Sequence, residues 1–232
     1  FHIATRFNVK LMMYGENGEL EYGGSEKYKN RPSERPEEWK EEYFKGASVD
    51  ELISIGLELG ELDDEEVLPG LVQLYKAPHP ETLEKSGVEM HWYSYYHKWV
   101  PEENYYYAVD HTGFLPNPEG RSEATYTKYV SLDDKLDGFH WYLSYMKFGM
   151  ARASRDAQTD IRRHHLTREE GVALTQRYDG EFPARHFDWF LNFADISEEY
   201  FWEVCDYYRS LSNVWEQENG KWVMNSPVTN LK

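Results

Sequence analysis

The reading of this chain turns on Leu11-Met12-Met13-Tyr14-Gly15-Glu16-Asn17-Gly18-Glu19-Leu20-Glu21-Tyr22-Gly23-Gly24. An apolar run stops at a glycine, and glycines then alternate with carboxylates. The run from Val9 to Tyr14 predicts a short buried strand, because it is apolar and bounded by turn signals. Glycines directly after a strand permit positive φ and close approach of the backbone to a ligand. Carboxylates in such a loop are hard oxygen ligands suited to a divalent cation. The carboxyl end of a strand is also where open α/β sheets bind ligands. A plain polar turn of the Asn-Gly kind fits the same letters.

Composition bounds the reading on every side. The chain has 232 residues, 40% of them hydrophobic, enough for one large core or two modest ones. No apolar run is long enough to span a bilayer and no signal-peptide pattern opens the chain, so a cytoplasmic protein without a membrane partner is expected. The single cysteine, Cys205, excludes an intrachain disulfide, and its apolar neighbours predict a buried, inert thiol. A formal charge of -17 argues against general nucleic-acid binding, which needs basic surface to release counterions. The chain opens at Phe1 without a methionine, and one strand makes no sheet, so the stretch is expected to be the carboxyl-terminal part of a larger protein.

Outward from the loop, Pro36 to Phe44 and Val49 to Leu59 predict short helices. Val88 to Tyr96 predicts a second strand or an extended segment packed on the core, and Pro101 to His111 a helix stopped by Gly113. A long helix is expected over 131–150, with Ser131 as its cap and Asp133 and Asp134 in its first turn. Leu132, Leu136, Phe139, Leu143 and Met146 form its apolar seam. One position on, Asp133, Asp137, His140, Ser144 and Lys147 make a polar stripe about 21 Å long at helical rise. That stripe reads as a ligand-facing line or as a solvated flank.

Lys147, Arg152 and Arg155 then cluster in an otherwise acidic chain, with Ser154 as a candidate cap for a helix ending near Arg163. Cations beside a helix start suit phosphate or pyrophosphate. Surface ion pairs, Arg155 with Asp156 and Asp160 with Arg163, account for the same residues. Thr167-Arg168-Glu169-Glu170 is a capping box opening a helix that ends near Asp179-Gly180. Two more amphipathic helices follow, over 183–193 and 197–210, and the tail from Val214 is expected to be an irregular cover.

The loop Gly15 to Gly24 resembles the second signature of the pyrophosphatase-loop ATP enzymes, as found in asparagine synthetases. More broadly, the chain resembles the carboxyl-terminal part of bacterial N-acetyl sugar amidotransferases. The residues that carry this are Tyr14 to Gly24, Gly120-Arg121, Thr125-Tyr126-Thr127, Ser131 to His140, Lys147-Phe148-Gly149, Arg152-Ala153, Asp156-Ala157, Ile161-Arg162, and Thr167 to Glu170 through Tyr178 to Pro183. The resemblance implies an α/β fold: the carboxyl-terminal part of a Rossmann-type nucleotide-binding domain, mostly helical with one or two strands. Residues 1–30 would hold its last strand and acidic loop, and residues 31–232 a helical region completing the site.

It also implies a chemistry. Such enzymes use ATP and Mg²⁺ to activate the carbonyl of a sugar acetamido group, as an adenylate, and ammonia replaces the oxygen to leave an acetamidino group. Ammonia comes from glutamine through a glutaminase subunit and a cyclase-like barrel subunit. The products serve surface polysaccharide (O-antigen) or flagellin-glycan synthesis. By resemblance, Glu16 handles protons as ammonia attacks and Glu19 holds the metal. Gly15, Asn17, Gly18, Lys147 and Arg152 bind ATP or pyrophosphate, with Lys147 also catalytic. Asp133, Asp134, Asp137 and His140 hold the sugar or nucleotide. Two departures stand out: Glu19 replaces the family's aspartate, and the first signature, Ser-Gly-Gly-x-Asp-Ser, is absent, so these residues alone are expected to be inactive. The alternative is a non-catalytic sugar-binding or partner-docking module. Another amide or a tRNA as substrate is a third possibility, and the acidic charge counts against tRNA.

Overall fold

The computed structural model describes residues 1–15, 30–35, 38, 46–63, 75–225 and 227. Contacts divide the chain into two units, Phe1–Trp99 and Val100–Lys232.

In the first unit a short helix α1 (His2–Arg6) leads into β1 (Leu11–Tyr14), so the expected strand forms. Its partner lies in the same chain. After β2 (Ser33–Glu34), α2 (Val49–Glu58) and α3 (Pro80–Ser86), strand β3 (Glu89–Trp92) runs parallel to β1, with Leu11 opposite Glu89 and Tyr14 opposite Trp92. The sheet order is β1-β3-β2, with β2 antiparallel. Met90 and Trp92 point inward, and the Trp92 ring meets Tyr14 edge to face at 5.9 Å. The expectation of a buried strand fails for β1. Among the described residues it is the sheet edge, and Leu11 remains 53% exposed.

Helix α2 starts where its letters dictate. Ser48 accepts the Glu51 N–H while the Glu51 carboxylate takes the Ser48 N–H, a complete capping box. The expected strand at 88–96 is divided: β3 covers its first half and a single turn, α4 (Tyr93–Tyr96), the second. The helix expected from Pro36 to Phe44 lies outside the described residues, apart from Glu38.

The second unit opens with α5 (Pro101–Thr112), closed by Gly113 in the left-handed region as the sequence predicts. Its centre is α6 (Asp137–Phe148) packed against α10 (Glu198–Leu211). Phe139, Tyr142 and Met146 of α6 and Phe201 and Cys205 of α10 form the buried cluster. The Phe139 ring stacks on Phe190, of α9 (Phe187–Ala194), with centroids 4.0 Å apart. Side chains of this size bury enough apolar area, about 2 kcal/mol each, to hold three helices together. Cys205 is fully buried and its thiol is pushed up to about 11 by that burial, which makes it the inert thiol expected.

Two expectations are corrected here. Helix α6 begins at Asp137, not Ser131. Ser131 sits at φ 54°, and its hydroxyl donates to the Asp134 carbonyl and, at 2.7 Å, to the Asp137 carboxylate. Asp134 in turn accepts the Leu136 N–H at 2.7 Å. Serine and aspartate side chains here compete with helical hydrogen bonds and win. Second, the tail is not irregular. Strands β4 (Trp215–Glu218) and β5 (Lys221–Met224) form a hairpin around Asn219-Gly220, both with positive φ. The Trp215 indole N–H donates to the Met146 carbonyl at 2.8 Å, tying the hairpin to α6.

The chain is thus α/β, mostly helical, and the five strands of the described residues exceed the one or two expected.

Candidate functional site

Helix α6 ends at Gly149, which takes φ 70° so that the chain can turn directly into α7 (Arg152–Arg162). The turn brings the end of α6 and the start of α7 side by side. Helix α8 (Arg168–Tyr178) lies against α7, and Gly171 permits the approach: a Cβ there would stand 2.6 Å from Ile161 Cδ1. Thr167 and Glu170 form the capping box that the sequence predicts for α8.

The start of α7 is not open to a phosphate. The Asp179 carboxylate, from just past α8, accepts the backbone N–H groups of Ala151 and Ser154, each at 3.1 Å. The protein's own anion therefore fills the place where the sequence suggests a bound one. Ser154 is not the cap either. It lies inside the first turn, and its hydroxyl donates to the Ala151 carbonyl. Burial pushes the Asp179 carboxyl up, and the N–H donors oppose that shift.

A polar network lies behind this turn. Arg152 Nε donates to Asp156 at 2.8 Å, and the Thr125 hydroxyl donates to the other Asp156 oxygen at 2.9 Å. The Tyr126 hydroxyl donates to Asp160 at 2.7 Å. Thr125 is fully buried, and burial pushes the Asp156 carboxyl upward against the pull of Arg152 and Thr125. The Tyr126 phenol is pushed far up by burial and by its bond to Asp160, so it remains a donor. The loop carrying Thr125 is itself held by Arg121, which meets Glu181 through two bonds of 2.6 and 2.8 Å. Glu181 also accepts the Ala124 N–H at 2.9 Å. Surface pairs of Arg155 with Asp156 and Asp160 with Arg163 are not what forms: Asp156 pairs with Arg152, and Tyr126 takes Asp160.

In front of the turn is a cavity of about 450 Å³ between α6 and α7. His140, Trp141, Ser144 and Phe148 line it from α6; Arg152, Arg155 and Gln158 line it from α7. A volume of this order takes a ligand the size of a nucleotide or phosphosugar. The Arg152 guanidinium lies 5.6 Å from the centroid of the buried Trp141 ring, so it is fixed from two sides.

Of the residues that the resemblance singles out, this cavity unites two, His140 and Arg152. Lys147 is exposed beside it, with its ammonium 5.1 Å from the Phe148 ring centroid and 5.5 Å from that of Tyr208. Asp133 and Asp134 line a different cavity of about 550 Å³, with Asn117, Glu119, Lys135 and Arg185. Asp137 binds Ser131. The polar stripe is therefore shorter than its spacing predicts, because Asp133 precedes the helix. Gly15 ends β1 in the other unit; its backbone is not left-handed and a Cβ there would meet open space. Glu16, Asn17, Gly18 and Glu19 lie outside the described residues. Among the described residues no three acidic, histidine or cysteine side chains converge as a metal site.

Residues 123–228 match the family model of the LPS biosynthesis protein WbpG-like, C-terminal domain. The match spans the Thr125–Asp156–Arg152 network and both helices of the cavity. It supports a role in lipopolysaccharide biosynthesis. No curated protein matches the chain. Among the described residues no helix is long and apolar enough to cross a membrane.

Sequence reasoning missed Asp179 as the cap of α7 and Trp141 as the cavity's wall. Asp179 acts across 25 or more residues, which no local pattern signals. Trp141 is marked only by its place one residue after His140.

Proposed function

We propose that the protein is an ATP-dependent amidotransferase that converts a sugar acetamido group into an acetamidino group. The observation that carries this reading is the cavity shared by His140 and Arg152, inside a segment that matches a lipopolysaccharide-biosynthesis domain. A sugar-modifying step of surface-polysaccharide synthesis fits that role.

ATP supplies the activation: the amide oxygen leaves with AMP, pyrophosphate is released, and ammonia provides the new nitrogen. His140 holds a hydroxyl or phosphate of a nucleotide-linked sugar. Lys147 offsets the charge that accumulates as pyrophosphate departs, and Arg152, already paired with Asp156, adds hydrogen bonds to the phosphates rather than free charge. Glu19 would hold Mg²⁺ and Glu16 would handle the proton of the attacking ammonia, with Gly15, Asn17 and Gly18 as the residues that bind ATP or pyrophosphate. Asp133 and Asp134, in the turn before α6, and Asp137, its first residue, contribute to sugar binding from the neighbouring cavity's side. Ammonia is delivered from a glutaminase subunit through a cyclase-like barrel subunit.

A second reading is favoured by one observation. Asp156 neutralises Arg152 and Asp179 fills the start of α7, as expected of a scaffold that binds sugar or a partner without nucleotide chemistry. The test is turnover of UDP-linked N-acetyl sugars by the full-length protein with ATP, Mg²⁺ and ammonium, read by mass spectrometry as exchange of oxygen for NH. Glu16→Gln is expected to abolish it. ATP-independent sugar binding without product would establish the second reading.

A further inference from the structure

We infer that the α6–α7 cavity is a diphosphate site in which Arg155, not Arg152, supplies the free charge; this rests on the amidotransferase reading for its biological ligand, not for its chemistry. Charge selection comes first. The chain carries 42 Asp and Glu residues, yet among the described residues no carboxylate lines this cavity. The other three cavities described each have at least one, such as Glu34, Glu89 or Asp133. An anion entering any of those meets like charge; here it meets two guanidiniums.

Those two guanidiniums differ. Arg152 already holds Asp156 at 2.8 Å and lies over Trp141, so its charge is largely spent within the protein. Arg155, one turn along the same helix, makes no ion pair or side-chain hydrogen bond among the described residues and is exposed. A guanidinium presents a planar fork that matches phosphate oxygens two at a time. His140 and Ser144 face it from α6, with Gln158 beside it on α7. Phe148 and Met150, both about half exposed, supply an apolar wall for a ring attached to the phosphates. Two phosphates with a ring attached describe a nucleotide or a nucleotide-linked sugar, and the shared chemistry is the diphosphate.

Calorimetric titration of the full-length protein with inorganic pyrophosphate, ATP and UDP-N-acetylglucosamine tests this. Arg155→Gln is expected to weaken pyrophosphate by about tenfold or more while leaving the melting temperature unchanged. Arg185→Gln, at the cavity that Asp133 and Asp134 line, is expected to leave pyrophosphate binding unchanged. Binding of ATP without the nucleotide sugar would assign the site to the phosphates of ATP, and the reverse to the sugar substrate; either supports the inference. Equal affinity of wild type and Arg155→Gln, or no binding of any of the three at millimolar concentration, would overturn it. Arg155-dependent binding with no amidine product would remove the amidotransferase reading and leave the site standing.

Discussion

Arg152 Nε donates to Asp156 at 2.8 Å, and this single bond decides what the basic cluster is for. Read as letters, Arg152 is a cation beside a helix start. In the folded chain it is the lid on a buried carboxylate that also holds Thr125. Removing one member of such a pair leaves the other buried and unpaired, which costs about 3 kcal/mol. Arg152→Gln is therefore expected to lower the denaturation midpoint strongly, because it leaves the nearly buried Asp156 carboxylate without its cation. Asp156→Ala should lower it by less, because the Arg152 left behind is partly exposed. Urea titration of both variants checks the order.

The two acid–base pairs of this region respond to pH with opposite signs. Burial raises the Asp156 carboxyl, so the folded state binds its proton more readily than the unfolded one. Its contribution is fully present below the unfolded value and is lost as pH rises through the folded one. For Glu181 burial also pushes upward, but the Arg121 bonds and the Ala124 N–H outweigh it and the carboxyl is lowered. Its contribution is present above the unfolded value and is lost as pH falls through the folded one. The stability difference between wild type and Glu181→Gln should shrink as acid is added across the carboxylate range. The difference from Asp156→Asn should move the other way. Parallel curves would refute the assignment.

Asp179 joins the end of α8 to the start of α7 through two backbone donors. Asp179→Ala leaves both without a partner, at about 1–3 kcal/mol for a buried group. Asp179→Asn keeps one acceptor oxygen and should recover part of that loss. Thermal melts of the two variants distinguish capping from a general loss of charge, which would make them equal.

Gly180 is the next residue and has a different constraint. Its φ is 78°, and an added Cβ would stand 2.3 Å from the Tyr145 ring. Gly180→Ala combines left-handed strain with overpacking against a half-buried ring on α6, for a loss of about 2–4 kcal/mol. Tyr145→Ala in the same chain should relieve the clash, so the double variant is expected to be more stable than the sum of the two singles predicts. Additive losses would show that the backbone moves instead.

What the sequence made legible follows the range of the forces involved. The capping box at Thr167 and the Gly113 termination are local rules, and both form as read. The Asn219-Gly220 hairpin obeys an equally local rule, and the signal was there between Trp215 and Val223. Asp156 and Asp160 were opaque because their i,i+4 neighbours look the same on a solvated face. Only the return of the 121–127 loop, held by Glu181, buries them. Asp133 misleads for the opposite reason: its spacing extends a helical stripe, but Ser131 and Asp134 unwind that turn with their own hydrogen bonds.

Lys147 separates function from stability most cleanly. It is exposed in the last turn of α6, forms no ion pair among the described residues, and touches the rest of the protein through the faces of Phe148 and Tyr208. Exposed cation–π contacts contribute about 0.5–1 kcal/mol. Lys147→Ala should therefore leave the melting temperature nearly unchanged. If Lys147 offsets charge on departing pyrophosphate, the same change should abolish amidine formation in the full-length protein, while Lys147→Arg retains part of it. Arg152→Ala, by contrast, should lose activity and stability together, since its partner Asp156 is buried. Undiminished turnover by Lys147→Ala would strike Lys147 from the reaction and leave it a surface residue in the last turn of α6.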